Sequence, residues 1–294
     1  MLIEEYLIKN KDITELSNFK TKAIARYYFE INSRQDIDKI HKIYNFSKKY
    51  NIKILFIWWG TNLLFAFDKF EGIVIKNCLK WWSYNKKLKI LDTYSIENIS
   101  DIAEELYNNG QGLWKRFIWL PWSVWWAVCW NAWCFWLEAE NNFKKAEVLD
   151  LTSWKTIILK KQDMAFEYRN SIIKKTWKYF IIKITFDLSK LVEKYTSDID
   201  NIYFRDKQQP KGNNCGSFFK NPSKDSSAWK LIEEVWFKWK NIWWAFFSNQ
   251  HANFLTNDWK ASYKDLLKLI DLVQKKVQKN FNINLIPEVR IITN

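Results

Sequence analysis

The side chains with chemistry to offer sit in a handful of short runs. Asn214-Cys215-Gly216-Ser217-Phe218-Phe219-Lys220-Asn221-Pro222 gathers a hydroxyl, an ammonium and an amide. A free serine is a poor acid, so Ser217 can give up a proton only where neighbours stabilise the alkoxide it leaves. Upstream, Arg205-Asp206-Lys207-Gln208-Gln209-Pro210 is a basic segment. Phe166-Glu167-Tyr168-Arg169-Asn170-Ser171 offers Arg169, and Leu285-Ile286-Pro287-Glu288-Val289-Arg290 offers Glu288. Taken alone, the first reads as a surface arginine and the second as a solvated charge. Two further runs, Ile57-Trp58-Trp59-Gly60-Thr61-Asn62-Leu63-Leu64 and Leu120-Pro121-Trp122-Ser123-Val124-Trp125-Trp126-Ala127-Val128, have turn residues next to apolar stretches. The only histidines are His41 and His251, and Cys78, Cys129, Cys134 and Cys215 form no CxxC pair. That pattern argues against a structural zinc site and for reduced thiols, with His251 as a satisfied structural histidine.

Tryptophan is abnormal in number and in place. The chain has 20 Trp and 6 Gly, whereas ordinary usage of about 7% would give roughly 20 Gly. The tryptophans come as doublets (58-59, 81-82, 125-126, 243-244) and in turn settings such as Pro121-Trp122-Ser123 and Asp258-Trp259-Lys260, where glycine is the expected residue. Most of them therefore read as glycine, as would follow from a UGA codon that means glycine being translated as tryptophan. Counted together, the two residue types make about 9% of the chain, close to normal for glycine. So restored, the first turn reads I-G-G-G-T-N-L-L directly after a strand. Glycines there let backbone N–H groups turn inward as an anion nest and leave no Cβ in a pyrophosphate's way.

With that substitution, the second run reads L-P-G-S-V-G-G-A-V and continues to G-N-A-G around Asn131. The two glycine runs, in this order and spacing, resemble the flavin-binding segments of the UDP-N-acetylenolpyruvoylglucosamine reductase (MurB) family. Phe166–171 resembles its Y-R-x-S segment, 215–222 its G-S-F-F-K-N-P and 285–290 its L-x-P-E-V-R. The resemblance spans nearly the whole chain, and the short interval between Arg169 and Ser217 matches the compact subgroup. It implies an FAD- and NADPH-dependent reductase of a UDP-sugar. Arg169 would steady the substrate carboxylate, Ser217 would protonate carbon, and Glu288 would be the third catalytic residue. Lys207 and Asn221 would contact the substrate's diphosphate. Trp58, Trp59, Gly60, Thr61, Asn62, Pro121, Trp122, Ser123, Trp125, Trp126 and Asn131 would line the cofactor. The family also implies an α+β fold: a two-lobed FAD-binding unit of the PCMH/MurB type (1–75 and 76–190), a substrate-binding domain (200–288) and a tail (289–294).

The elements that must carry these runs alternate along the chain. A helix is expected over 33–50, with Ile37, Ile40, Ile43 and Tyr44 on one face, then strands at 52–57 and 73–76. A strand at 88–93 and an amphipathic helix at 96–108 precede the second run, which reads as loop. Strands follow near 146–151, 156–160 and 179–186. The last third holds a helix at 228–235, strands near Ala245 and Phe254, and a long helix over 262–279 carrying Leu266, Leu267, Ile270, Val273 and Val277. A closing strand spans 285–292.

Composition narrows the alternatives. Of the 294 residues 48% are hydrophobic and 27% charged, as in an ordinary globular surface and core. The net charge of +14 is spread over scattered lysines instead of basic stripes, which argues against nucleic-acid binding; polyanionic small molecules suit it better. Residues 117–137 carry no charge, but they contain Pro121, Ser123, Asn131 and seven tryptophans, so a membrane span is not expected. The first residues lack a signal peptide's basic and apolar regions, and a cytoplasmic monomer is the expectation. Two other readings stay open at this point: an FAD oxidoreductase of the same fold with another substrate, and a basic, aromatic-rich nucleic-acid binder.

Overall fold

A computed structural model describes residues 5–58, 60–120, 122–134, 136–189, 210, 212–223 and 225–294. The chain divides into two compact units, one of Met1–Phe29, Phe46–Ile75 and Asp206–Asn294, the other of Glu30–Asn45 and Lys76–Arg205. Each mixes sheet with helix, giving the α+β class.

In the first unit, one sheet orders the strands Ile8–Asp12, Ile24–Ile31, Lys69–Asn77 and Ile54–Ile57. A second, antiparallel sheet orders Asn213–Ser217, Phe254–Asn257, Ala245–Phe247 and Asn241–Ile242. Between them in sequence, Leu63–Phe65 pairs in parallel with Arg290–Ile292 near the C-terminus, Leu63 opposite Arg290. The long helix runs Tyr263–Phe281 because Ser262 and Asp265 form a capping box and Asn282 ends it in the left-handed region. It buries Leu266, Leu269, Ile270, Val273 and Val277, each contributing about 1.5–3 kcal/mol by leaving water. Leu267, expected on that face, is only partly buried. The same core takes in Phe19 and Leu64 from the N-terminal segments and Phe218, Phe219 and Leu285 from the C-terminal one. Remote pieces of sequence thus share one apolar interior.

The second unit is built on an antiparallel five-stranded sheet ordered Thr156–Lys160, Phe143–Asp150, Tyr179–Asp187, Ile90–Tyr94 and Trp82–Asn85. Asn98 caps the Ile99–Asn108 helix by accepting the Ser100 N–H at 2.8 Å. The expected loop after Pro121 contains a short helix, Val124–Cys129, capped by Ser123. The expected strand over 285–292 is confined to Arg290–Ile292; Pro287 lacks an N–H for a ladder, so the preceding residues make only an isolated bridge to Phe219. No described helix is long and apolar enough to cross a membrane.

Candidate active site

Three of the sequence-predicted residues meet in the first unit through backbone pairing. Ser217 ends the Asn213–Ser217 strand, and its side chain is exposed while Phe218 and Phe219 behind it are buried. The Phe218 carbonyl accepts the Glu288 N–H at 2.8 Å, and the Ile286 carbonyl accepts the Lys220 N–H at 2.9 Å. The serine run and the L-I-P-E-V-R run are therefore laced side by side. Asn62 joins them: its Nδ2 donates to the Glu288 carbonyl at 3.2 Å. Next to Ser217, Cys215 Sγ lies 3.8 Å from the Leu63 carbonyl, and burial pushes its thiol well above the ordinary range, which leaves it neutral. Gly216 takes φ of 77°, a left-handed turn that suits glycine before the serine.

Other predicted residues have structural duties. Asn221 Oδ1 accepts the Ala228 N–H at 3.0 Å, at the start of the Ala228–Glu234 helix. Gly60 and Thr61 lie in the Gly60–Asn62 turn. A Cβ at position 60 would fall 1.7 Å from the Leu16 carbonyl oxygen, so glycine there is demanded by the protein's own packing. Trp58 is buried. His251 Nδ1 accepts the Asn253 N–H at 3.2 Å, and burial holds its imidazole below the ordinary range. Trp59, Pro121 and Lys207 lie outside the described residues.

The second unit positions Arg169 and the Ser123 turn. Glu167 and Asn170 bridge each other, and Ser171 Oγ donates to the Cys129 carbonyl at 2.7 Å, tying the arginine's loop to the end of the short helix. Arg169 is half-buried at φ 56°, and its Nη1 is buried without a hydrogen-bond partner among the described residues. A buried guanidinium N–H without an acceptor is costly unless an anion completes it. Asn131, also buried, donates from Nδ2 to Glu138 Oε2 at 3.1 Å and to the Glu167 carbonyl at 3.3 Å, while its Oδ1 accepts the Glu140 N–H. Burial pushes the Glu138 carboxyl up; the Asn131 bond and the Arg169 charge pull the other way. Sequence reasoning missed Glu138, Asn253 and the Ser171 tether, because nothing in a run of residues signals which remote carbonyl a side chain will reach.

As the chain is written, the Ser123 turn is filled by the protein's own groups. The N–H groups of Val124, Trp125 and Trp126 donate to the Glu97 carbonyl (2.8 Å), the Ser95 carbonyl (2.7 Å) and Ser123 Oγ (3.2 Å). These three amides are therefore turned to the protein's own acceptors. Around them, the Trp122 and Trp126 rings pack 4.5 Å apart, Trp126 and Trp130 stack at 5.4 Å, and Trp125 meets Trp130 at 5.7 Å. Glycine at 122, 125 and 126 would remove the rings that crowd this turn.

Comparison with known proteins completes the picture. A family profile described as "UDP-N-acetylenolpyruvoylglucosamine reductase, C-terminal domain" matches residues 208–292. The UDP-N-acetylenolpyruvoylglucosamine reductase of Clostridium kluyveri is 30% identical to the chain, covering 98% of each. That of Buchnera aphidicola is 31% identical over 97% of this chain and 96% of its own. The crystal structure of the Thermus caldophilus reductase superposes with a TM-score of 0.76 at 19% identity, over 98% of this chain and 100% of the other, so the fold is shared.

Proposed function

Because the chain belongs to the UDP-N-acetylenolpyruvoylglucosamine reductase family, we propose that it reduces the enolpyruvyl double bond of that UDP-sugar to give UDP-N-acetylmuramate, in peptidoglycan precursor synthesis. The observation that carries the site assignment is the pairing of the Ser217 and Glu288 segments, Glu288 N–H on the Phe218 carbonyl. When bound, FAD reduced by NADPH supplies hydride to the double bond. The chain's own residues do the rest. Arg169 holds the substrate carboxylate with its buried Nη1, which has no partner among the described residues, as electron density moves into that group, and Glu288 adds a further polar contact. Ser217, exposed at the end of its strand, gives its proton to the carbon beside the one that takes hydride. Lys207 and Asn221 contact the diphosphate; Asn221 has its amide nitrogen for this, its carbonyl being committed to Ala228. The protein works as a cytoplasmic monomer of the compact subgroup, organised as two FAD-binding lobes (1–75 and 76–190) and a substrate-binding domain (200–288). Sugar-dependent oxidation of NADPH by the purified protein is the test; a protein that oxidises NADPH only with other acceptors would overturn the substrate assignment.

The flavin role requires glycine where the sequence has tryptophan, and the native protein carries glycine at most of these positions. Supporting this, Trp119, Trp136, Trp154, Trp177, Trp236, Trp239, Trp243 and Trp259 all lie at φ between 52° and 68°. Bulky residues avoid that region and glycine occupies it freely. Several are also strongly exposed, Trp236 at 87% and Trp243 at 79%, with no packing reason for an indole. The coding DNA decides: UGA is expected beneath Trp58, Trp59, Trp122, Trp125, Trp126, Trp133 and Trp236. UGG there would leave the crowded Ser123 turn unexplained.

A further inference from the structure

The residues after Ser217 leave the regular ladder. Pairing of the Asn213–Ser217 strand with Phe254–Asn257 is irregular between Asn214 and Ser217, where Gly216 turns left-handed. Beyond it one side chain takes over the task of a strand. Asn253 is buried, at 2% exposed. Its Oδ1 accepts the Phe219 N–H at 2.9 Å and its Nδ2 donates to the Phe219 carbonyl at 2.8 Å. Its backbone carbonyl also accepts the Phe218 N–H at 2.7 Å. The side-chain amide thus presents the donor and acceptor of a peptide group to Phe219, while the Phe218 carbonyl is left to hold Glu288. His251 fixes the clamp's own backbone by accepting the Asn253 N–H.

We propose that Asn253 is a positioning residue for the reaction, setting the placement of Ser217 relative to Glu288 by gripping the segment between them. The proposal rests on the reading of Ser217 as proton donor and Glu288 as its catalytic partner. An apolar residue would fill the same buried space, but it would leave the Phe219 N–H and carbonyl unsatisfied and release the segment that carries the serine. Displacement of a reacting group by about 1 Å is enough to cost on the order of a hundredfold in rate.

The test, made in the protein with glycine at the tryptophan positions as the parent, is Asn253→Asp, which keeps the shape. As a carboxylate it accepts from the Phe219 N–H but repels the Phe219 carbonyl; protonated, it donates again. Expected in this variant is a loss of about ten- to a hundredfold in kcat for sugar-dependent NADPH oxidation at mildly alkaline pH, recovering as pH falls. Reduction of FAD by NADPH without sugar should stay at the parent rate. His251 on the same turn, with Glu233 and Lys238 acting on it, and Lys220 and Glu288 on the backbone segments around Phe218 and Phe219 also carry charge or titrate, and the non-titrating Asn253→Ala variant gives the profile due to these groups. It should lose rate without the acid recovery. Parent-like sugar turnover by Asn253→Asp across the pH range would overturn the proposal. If neither variant folds, hydrogen exchange on the parent decides: the Phe219 amide should exchange as slowly as amides of the Phe254–Asn257 strand, and rapid exchange overturns the clamp. A parent that shows slow exchange but no sugar-dependent oxidation would instead overturn the functional reading.

Discussion

At the scale of single residues, the proposed function gives the exposed hydroxyl of Ser217 and the half-buried guanidinium of Arg169 separable roles. In that proposal Ser217 acts only after hydride has arrived. In the protein with glycine restored, Ser217→Ala should therefore let NADPH reduce FAD at the parent rate while blocking turnover of the enolpyruvyl sugar, as rapid-mixing measurement of each half-reaction would show. Parent-like turnover by that variant would remove Ser217 from the mechanism. Arg169 presents a planar fork whose Nη1 is buried and without a partner among the described residues; a lysine keeps the charge but loses the fork. Arg169→Lys should lower kcat/KM for the sugar by about a hundredfold or more with the Glu138 neighbourhood otherwise intact. An unchanged kcat/KM would mean that the carboxylate is held elsewhere.

Among the local elements, the turn that carries His251 should make the first unit sensitive to acid. Burial depresses the imidazole's affinity for protons, Lys238 acts in the same direction, and Glu233 opposes them. The folded protein then binds this proton less readily than the unfolded chain, whose histidine titrates near 6.5. Stability from this group is complete above that value and is lost as pH falls through the window down to the depressed folded value. His251→Gln should flatten the decline in urea midpoint between neutrality and about pH 5 relative to the parent; an equally steep decline would locate the acid sensitivity in other groups. Left-handed turns give a second prediction. Replacing exposed Trp243 (φ 52°) by glycine should stabilise by about 1 kcal/mol, the strain a side chain suffers there. Thermal melts measure this, and an unchanged or lower midpoint for Trp243→Gly would overturn it.

For the whole molecule, the question is whether the chain as written can hold flavin. Each tryptophan in a turn proposed to bind phosphate adds an indole. Trp58, Trp122, Trp125 and Trp126 are not at positive φ, so the obstacle they present is bulk, with the Trp122, Trp126 and Trp130 rings packed on one another around the Ser123 turn. Steric exclusion by these indoles should abolish stoichiometric flavin binding. The literal protein should be colourless or insoluble, and the protein with glycine at all 20 positions should purify yellow with FAD near one per chain. Flavin absorbance per protein after desalting measures this. Stoichiometric FAD on the literal chain would show that these loops do not cradle the pyrophosphate.

Much of this was legible in the residues alone. Amphipathic spacing and a capping box announce the Tyr263–Phe281 helix, because period and cap are local properties. The run around Ser217 needs no correction to be distinctive, and the excess of tryptophan in turn settings is visible from counts and neighbours. The sequence also marks 243 and 259 as glycine-like before any backbone angle is known, from a tryptophan doublet and a turn setting that both expect glycine. What only the tertiary structure decided is which distant groups meet. Pairing of Phe218 with Glu288, the reach of Asn62 to the Glu288 carbonyl and the grip of Asn253 on Phe219 join segments far apart in the chain. So does the commitment of the amides after Ser123 to Ser95 and Glu97, in a stretch that reads as loop and folds as helix. Those outcomes depend on how the sheets and the shared core bring remote backbones within hydrogen-bonding distance, and no local pattern encodes a partner that lies tens to hundreds of residues away.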